Sequence, residues 1–489
     1  MLLALLLLPT VAGLVAFVVR ADGVRRTLLL VTALAHTGLT MMTWIKPPAP
    51  IFGGWLWLDA AGRLFLLITS LLFLAIAVYG MSYLRHEAHA THTDFEEAFL
   101  FVDTPEARFT GCLLLFLAAM TLVTASQHFG ILWVAIEATT LTSAPLIFFH
   151  RHHRSLEATW KYVLLCSVGI ALALLGNFFL AVAATQPDGT VLPLVVSDLV
   201  RDGSQLHDAW LKAAFLLLLV GYGTKMGLAP LHTWLPDAHS EAPSMVSALL
   251  SGALLNCAFL GIVRVLQVCA AAGHTTFGHD LLVGFGLLSM AVAAVFLVGQ
   301  TDYKRLLAYS SVEHMGILAL GVGIGGSGTF GALLHAVNHS LTKAMLFLVA
   351  GNILTTYQSK STVEVRGVLR VLPVSGVLWV VGLLAITGSP PFGPFLSEFT
   401  ILKAAFDQGR NGVAIAYLVF LAIIFVGMTT AMLGMAQGTP TEGKRRATEP
   451  ESLWTILSPA VLGVLVLMLG LYLPTVLRQT LQEAARAVG

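Results

Sequence analysis

The chain reads as an all-α polytopic membrane protein of about fourteen transmembrane helices. Three observations carry that reading. Mean hydropathy is +0.84, and charged residues fill only 11% of the 489 positions, against roughly 25% in soluble domains. Apolar runs of about 20 residues, the length that crosses the hydrocarbon core, recur along the whole sequence. Two of those runs are interrupted by prolines in a similar way, as happens where a membrane helix lines a cavity or an ion path.

In order, the apolar segments fall near 2–19, 27–45, 60–84, 109–127, 129–149, 159–184, 209–231, 243–268, 280–300, 305–325, 328–356, 373–406, 411–436 and 453–473. The first, MLLALLLLPTVAGLVAFVV, has neither a basic leader nor a small-residue cleavage site, so it is expected to be a retained helix. Only the connections near 85–108, 185–208 and 437–452 have any length. The expected organisation is one membrane domain: N-terminal helices over 1–108, a first repeat over 109–268, a second over 280–436, and a last helix and tail over 453–489. The seventh segment carries Gly227, Pro230 and Pro236, and the twelfth carries Gly388, Pro390, Pro391 and Pro394. Matching interruptions five segments apart suggest two inverted five-helix repeats with broken seventh and twelfth helices. The plainer alternative is that these prolines only kink their helices. Basic residues concentrate in one set of loops, with Arg20, Arg25, Arg26, Arg85, Arg108, Arg151, Arg154, Lys304, Arg305, Lys360, Arg366, Arg370 and Lys444. That set is expected on the cytoplasmic side, with both termini on the other.

Composition also excludes functions. A net charge of +1 gives no support for nucleic-acid binding. The sequence has no GxxxxGK[ST] phosphate loop and no dinucleotide fingerprint. Cys112, Cys166, Cys257 and Cys269 lie in or beside apolar segments without a CxxC pair, and read as small buried hydrophobes. No cofactor is expected in this chain.

Charges inside the apolar segments carry the chemistry. Lys225 stands in the seventh segment just before its break, and an ionisable residue at such a place is costly and usually functional. Glu137, mid-way along the fifth, has no charged neighbour in sequence, so its partner must come from another helix, and Lys225 is the candidate. At roughly 6 Å and an effective dielectric of about 20 their attraction is about 3 kcal/mol. That is comparable with the roughly 2.3 kcal/mol for moving one charge against 100 mV, so the pair can gate a proton step. The alternative is a static ion pair that fixes packing. In the eleventh segment His335, His339 and Lys343 are spaced four apart on one helix face. They read as a proton wire; a zinc site is the rival, and needs a third ligand. Glu398 and Lys403 follow the break of the twelfth; Glu398 is the better path candidate, since Lys403 can snorkel. Glu313, beside His314, is another acid in an apolar helix, and Lys304 reads as an interface anchor. His86, His89 and His92 have metal-ligand spacing in an acidic loop, and HRHHR at 150–154 reads as a basic interfacial cluster.

The stretches GLAPLHTWLPDAHSEAPSMVSALLSG, DYKRLLAYSSVEHMG and HAVNHSLTKAMLFLVAGN resemble the hallmark segments of the antiporter-like subunits of respiratory complex I and Mrp-type sodium/proton antiporters. The resemblance runs from about Tyr83 to Phe406. Around SSVEHMG, EATTLTSAPLI and RSLEATWKYVLLCSVGIALALLGNFFL the chain is most similar to component F of hydrogenase-4, of the formate hydrogenlyase type of membrane-bound [NiFe] hydrogenase. The resemblance implies fourteen helices with two inverted five-helix bundles and a hydrophilic axis at mid-membrane. It places Glu137, Lys225, His335, His339, Lys343 and Glu398 at the family's relay positions, with Lys403, His232 and Asp237 as further candidates. On the eighth helix many relatives carry a lysine or histidine; here Ser251 and Asn256 stand at the plausible positions, so a bridge from Lys225 to Lys343 leans on neutral groups and water.

The expected function is a proton-translocating subunit of a redox-driven respiratory or hydrogenase complex in a bacterial or archaeal cytoplasmic membrane. Its partners are other membrane and redox subunits, the bilayer, and protons or sodium. Alternatives are the membrane half of an inorganic-carbon uptake complex with a cytosolic zinc protein, a sodium/proton antiporter subunit, or a passive scaffold.

Overall fold

The computed structural model describes residues 1–87, 91–93, 100–186, 188–440 and 451–488. The chain begins with α1 Leu2–Val18, α2 Asp22–Ile45 and α3 Ala60–Glu87. A short antiparallel pair, β1 Thr91–Thr93 and β2 Leu100–Val102, follows inside the first long connection. Next come α4 Glu106–Ala125, α5 Phe129–Ile147 and α6 His153–Ala183, then a short α7 Val196–Arg201 inside the second long connection. The seventh segment is α8 Asp208–Met226 followed by α9 Trp234–Glu241. The eighth is one continuous rod, α10 Ser244–Leu249, a π turn Leu250–Leu254 and α11 Leu255–Ala271. Then follow α12 Thr275–Leu297, α13 Tyr303–Ile324 and α14 Ser327–Tyr357. A short α15 Val368–Val371 leads to the twelfth segment, divided into α16 Pro373–Ile386 and α17 Gly393–Asp407. The chain closes with α18 Asn411–Ala436, α19 Leu453–Leu471 and α20 Thr475–Arg486.

Each of the fourteen apolar segments therefore falls on a helix or a helix pair. Twelve helices among the described residues are long and apolar enough to cross a membrane, and α1 and α16 are shorter apolar helices. Burial sorts them. The eighth segment and α14 are wholly enclosed by other helices, α13 nearly so, whereas α18 and α19 turn most of their surface outward. Their outward residues are apolar, such as Ile415, Val426, Val464 and Leu471, which suits contact with lipid. The polar side chains gather on the enclosed helices.

Both expected interruptions are present. Helix α8 stops at Gly227, whose φ of +83° is the left-handed cap that glycine adopts without Cβ strain. The indole N–H of Trp234 then donates to Thr224 O at 2.8 Å and ties α9 back onto the end of α8. In the twelfth segment the chain leaves α16 at Thr387 and turns through Gly388, φ +63°. It restarts at Gly393 with Pro394 in the first turn, where a missing N–H costs nothing. Ala229–Pro230 and Pro390–Pro391 are cis, one in each break.

Candidate functional site

Two buried centres and a bridge between them emerge from these helices. The first surrounds Lys225, in the last turn of α8, where the negative end of the helix dipole favours a cation. Its side chain is fully enclosed. Nζ donates to Thr140 Oγ1 of α5 at 2.8 Å and to Tyr162 OH of α6 at 2.6 Å, and lies 4.5 Å from the Tyr162 ring centre. Ser143 Oγ shares a 2.6 Å hydrogen bond with the same phenol. Glu137 is half-buried one turn before Thr140. Its carboxylate accepts from Thr140 Oγ1 at 3.4 Å and from Ser167 Oγ at 3.2 Å. Glu137 and Lys225 thus belong to one centre, but no direct ion pair joins them: the Thr140 hydroxyl stands between. The expected direct pairing is corrected to a hydroxyl-bridged one, because Thr140, on the Glu137 helix, occupies the ammonium's coordination space.

The bridge lies on the eighth segment. Ser251, inside the π turn, shares a 2.8 Å hydrogen bond with Ser311 of α13. Asn256 Nδ2 donates to Gly252 O at 2.9 Å and to Ser340 Oγ of α14 at 2.7 Å, while its Oδ1 has no hydrogen-bond partner among the described residues. The neighbouring Cys257 is within electrostatic reach of Lys225. Neutral groups therefore do connect the Lys225 side to α14, next to His339.

The second centre joins α13, α14 and α17. Lys343 is fully buried, and its Nζ donates to Leu307 O at 2.6 Å. Glu313 and His314 follow one another on α13, with His314 Nε2 3.9 Å from Glu313 Oε2. His314 Nδ1 meets His335 Nε2 at 2.8 Å, and His335 Nδ1 meets Ser397 Oγ at 2.9 Å. Asn338 Nδ2 donates to Gly393 O at 2.8 Å, which fixes the start of α17 against α14. The His339 ring stacks 5.1 Å from His314, with neither nitrogen hydrogen-bonded. Glu398 projects back toward Gly388 in the break and keeps Oε1 without a partner. The row His335–His339–Lys343 is thus on one buried face as the spacing predicts, but His335 pairs with His314 of α13 rather than with His339. Among the described residues, the group whose donor atoms lie close enough to hold one metal ion is His314, His335 and Glu398.

The remaining expected residues separate from these centres. Lys403 is exposed and pairs with Asp407, outside the buried network. Asp237 belongs to an ion cluster at the helix ends, accepting from Lys161 at 2.9 Å and Arg305 at 2.8 Å. His232 is buried beneath Tyr309, 6.4 Å between ring centres. Lys304 is corrected: it is buried, not an interface anchor, and its Nζ donates to Ser240 O at 2.9 Å and Ala242 O at 2.6 Å. Asp302 caps α13 and accepts from Ser240 Oγ at 2.7 Å, so the α9–α10 link is clamped from α13. Glu241 pairs with Lys360 at 2.9 Å, and His152 lies 3.7 Å away. These groups line a cavity of about 250 Å³ at the helix ends. Of the basic run at 150–154, His150 pairs with Asp103 at 2.8 Å. The side chains of His86, His89 and His92 lie outside the described residues.

Sequence reasoning passed over Thr140, Tyr162 and Ser397, which hold the charged groups, and the buried pair Asp59–Arg264. Arg264 of α11 reaches Asp59 Oδ2 at 2.5 Å and Oδ1 at 2.7 Å. Burial by itself favours the neutral acid, but the guanidinium and the Gly62 N–H hold the Asp59 carboxyl below its usual 3.8. An arginine far along an apolar helix was the available signal.

Residues 126–425 match the family described as NADH:quinone oxidoreductase/Mrp antiporter, TM. The chain is 35% identical over 450 residues to the hydrogenase-4 component F homolog of Methylacidiphilum infernorum (isolate V4), covering 90% of each. Its fold matches a chain of the membrane-bound sulfane sulfur reductase, an archaeal respiratory membrane complex, with TM-score 0.87 at 21% identity, over 100% of this chain and 97% of that one. A chain of respiratory complex I from Thermus thermophilus matches with TM-score 0.76 at 27% identity, over 96% and 97%. With a matched region spanning most of the helices that build both centres, the chain belongs to the NADH:quinone oxidoreductase/Mrp antiporter family, as an antiporter-like membrane protein of the complex I, Mrp and hydrogenase type.

Proposed function

We propose that the chain translocates protons as a membrane subunit of a redox-driven respiratory or [NiFe] hydrogenase complex. One observation carries the reading: two fully buried lysines, Lys225 and Lys343, each sit in a polar network, and Asn256 and Ser340 lie between those networks. A buried ion pair is a weak stabiliser, so such groups are better accounted for by charge movement. The path runs from the cytoplasmic side to Glu137 and Lys225, across Asn256 and Ser340 to His339 and Lys343, and out through Glu313, His314, His335 and Glu398. Hydroxyls at Thr140 and Ser397 and bridging water relay the proton between carriers. Redox chemistry is assigned to partner subunits. Arg154, Arg305 and Lys360 share one end of the bundle around a common cavity, which supports placing that end in the cytoplasm and both termini opposite.

The test is Lys225→Ala in the native complex, followed by proton uptake into inverted vesicles. The expected result is lost pumping with electron-donor turnover largely retained. Unimpaired pumping would sink the mechanism, and pumping that follows sodium rather than pH would move the reading to a sodium/proton antiporter subunit.

A further inference from the structure

From the donor atoms gathered where α13, α14 and α17 meet, we propose that His314, His335 and Glu398 form a site for a divalent transition-metal cation of the zinc type. Their ligand atoms lie within 4.8 Å of one another and all three residues are buried. The facing nitrogens are His314 Nδ1 and His335 Nε2, 2.8 Å apart. A tetrahedral ion with bonds near 2.0 Å sets neighbouring ligands roughly 3.3 Å apart, so the rings part by about half an ångström and the carboxylate moves in. Glu398 Oε1 is buried with no hydrogen-bond partner among the described residues, and is free to ligate. Buried carboxylates without a partner are rare because the group gives up its hydration for nothing.

The surroundings have the form of a metal site's outer layer. Metal-bound histidines usually present the second nitrogen to an oxygen, which fixes the ring. Here His335 Nδ1 meets Ser397 Oγ at 2.9 Å, and His314 Nε2 faces Glu313 Oε2 at 3.9 Å. Glu313 also brings a second acidic side chain toward the cation. Lys343, a buried cation within electrostatic reach of His314, has its ammonium bonded to Leu307 O. His339, the partner that helical spacing suggests, is not part of the triad. Coordination takes the ionised carboxylate and neutral imidazoles, so a filled site withdraws His335 and Glu398 from proton carriage. On the reading above, the ion is a plug on the exit half of the relay.

The full chain, purified in detergent, stripped with chelator and loaded with zinc or cobalt, tests the site. Zinc content, competition against a chromophoric chelator, and X-ray absorption at the zinc edge are the readouts. The expected result is one bound zinc with two imidazoles and one carboxylate. His335→Ala and Glu398→Gln lose it, Ser397→Ala binds roughly 10- to 100-fold more weakly, and His339→Ala binds as wild type. Equal zinc content in wild type, His335→Ala and Glu398→Gln overturns the site, as does loss in His339→Ala with retention in His314→Gln. Should the variants fail to fold, an absorption spectrum of the wild type without histidine ligation overturns it as well. No transport is measured, so this result stands or falls apart from the Lys225→Ala test.

Discussion

Thr140→Val isolates the feature that the packing adds to the first centre. Valine keeps the β-branched shape and volume while deleting the hydroxyl that accepts from Lys225 Nζ at 2.8 Å and donates to Glu137 Oε2 at 3.4 Å. The second contact is long and contributes little. The first is a hydrogen bond to a charged group, worth about 1.5–3 kcal/mol. The phenol of Tyr162 still accepts from the ammonium at 2.6 Å, so the lysine stays in place and the fold should hold. The expected effect is therefore on transfer between Lys225 and Glu137, since no other described side chain bridges them. A loss of about 2 kcal/mol corresponds to roughly a thirty-fold slower step. The assay is the initial rate of proton uptake into inverted vesicles at a fixed rate of electron-donor turnover, with Thr140→Ser as the control that restores a hydroxyl. Thr140→Val pumping within a factor of two of wild type would refute the bridging role. So would equal losses in the valine and serine variants, because that pattern reports packing rather than the hydroxyl.

Three further outcomes follow from the geometry. Asp59→Asn leaves the buried Arg264 without its counter-charge, which costs about 3–5 kcal/mol, and Asp59→Leu with Arg264→Met should recover most of it. The folded Asp59 carboxyl is held below 3.8. Its stabilisation is therefore fully present above the unfolded value of about 3.9, and is lost as pH falls through the lower folded value. Thermal unfolding in detergent at pH 7 and at stepped acid pH checks this, and an unchanged Tm for Asp59→Asn at pH 7 contradicts it. Gly388→Ala adds a Cβ where the Glu398 carboxylate lies and forces φ of +63° on alanine, at about 1–2 kcal/mol for the backbone alone. It should impair pumping more than folded yield, and normal pumping would show that the Glu398 position is not needed. Lys403→Ala removes an exposed ion pair with Asp407, worth about 0–1 kcal/mol; pumping and Tm should match wild type, and a pumping defect would return Lys403 to the path.

The class of fold, the helical segments and the charged members of both centres are legible along the chain. The reasons are length and cost. About 20 apolar residues suffice to cross a bilayer, and Lys225, Lys343, Glu137 and Glu313 stand out because an ionisable group in such a run is expensive. Both breaks are legible too, since proline at 230, 236, 390 and 391 cannot continue a helix. Which neutral groups meet those charges, and which charges face inward, is settled by the packing of the helices. Thr140, Tyr162, Ser397 and Asn338 are ordinary residues in membrane helices, and nothing in their spacing marks them until α5, α6, α14 and α17 pack. Glu398 and Lys403 share one helix, but five residues turn it by about 140°, so one faces the bundle and the other points outward. Lys304 lies near a helix end where lysines usually snorkel, yet the α9–α10 link folds over it and supplies carbonyl oxygens as acceptors. His335 finds His314 rather than His339 because rings one turn apart on α14 stand 6.5 Å apart, while α13 brings a ring nitrogen to within hydrogen-bonding distance. Periodicity and cost are local and can be read along a chain. Partnership depends on the rotation and approach of separate helices, which packing alone sets.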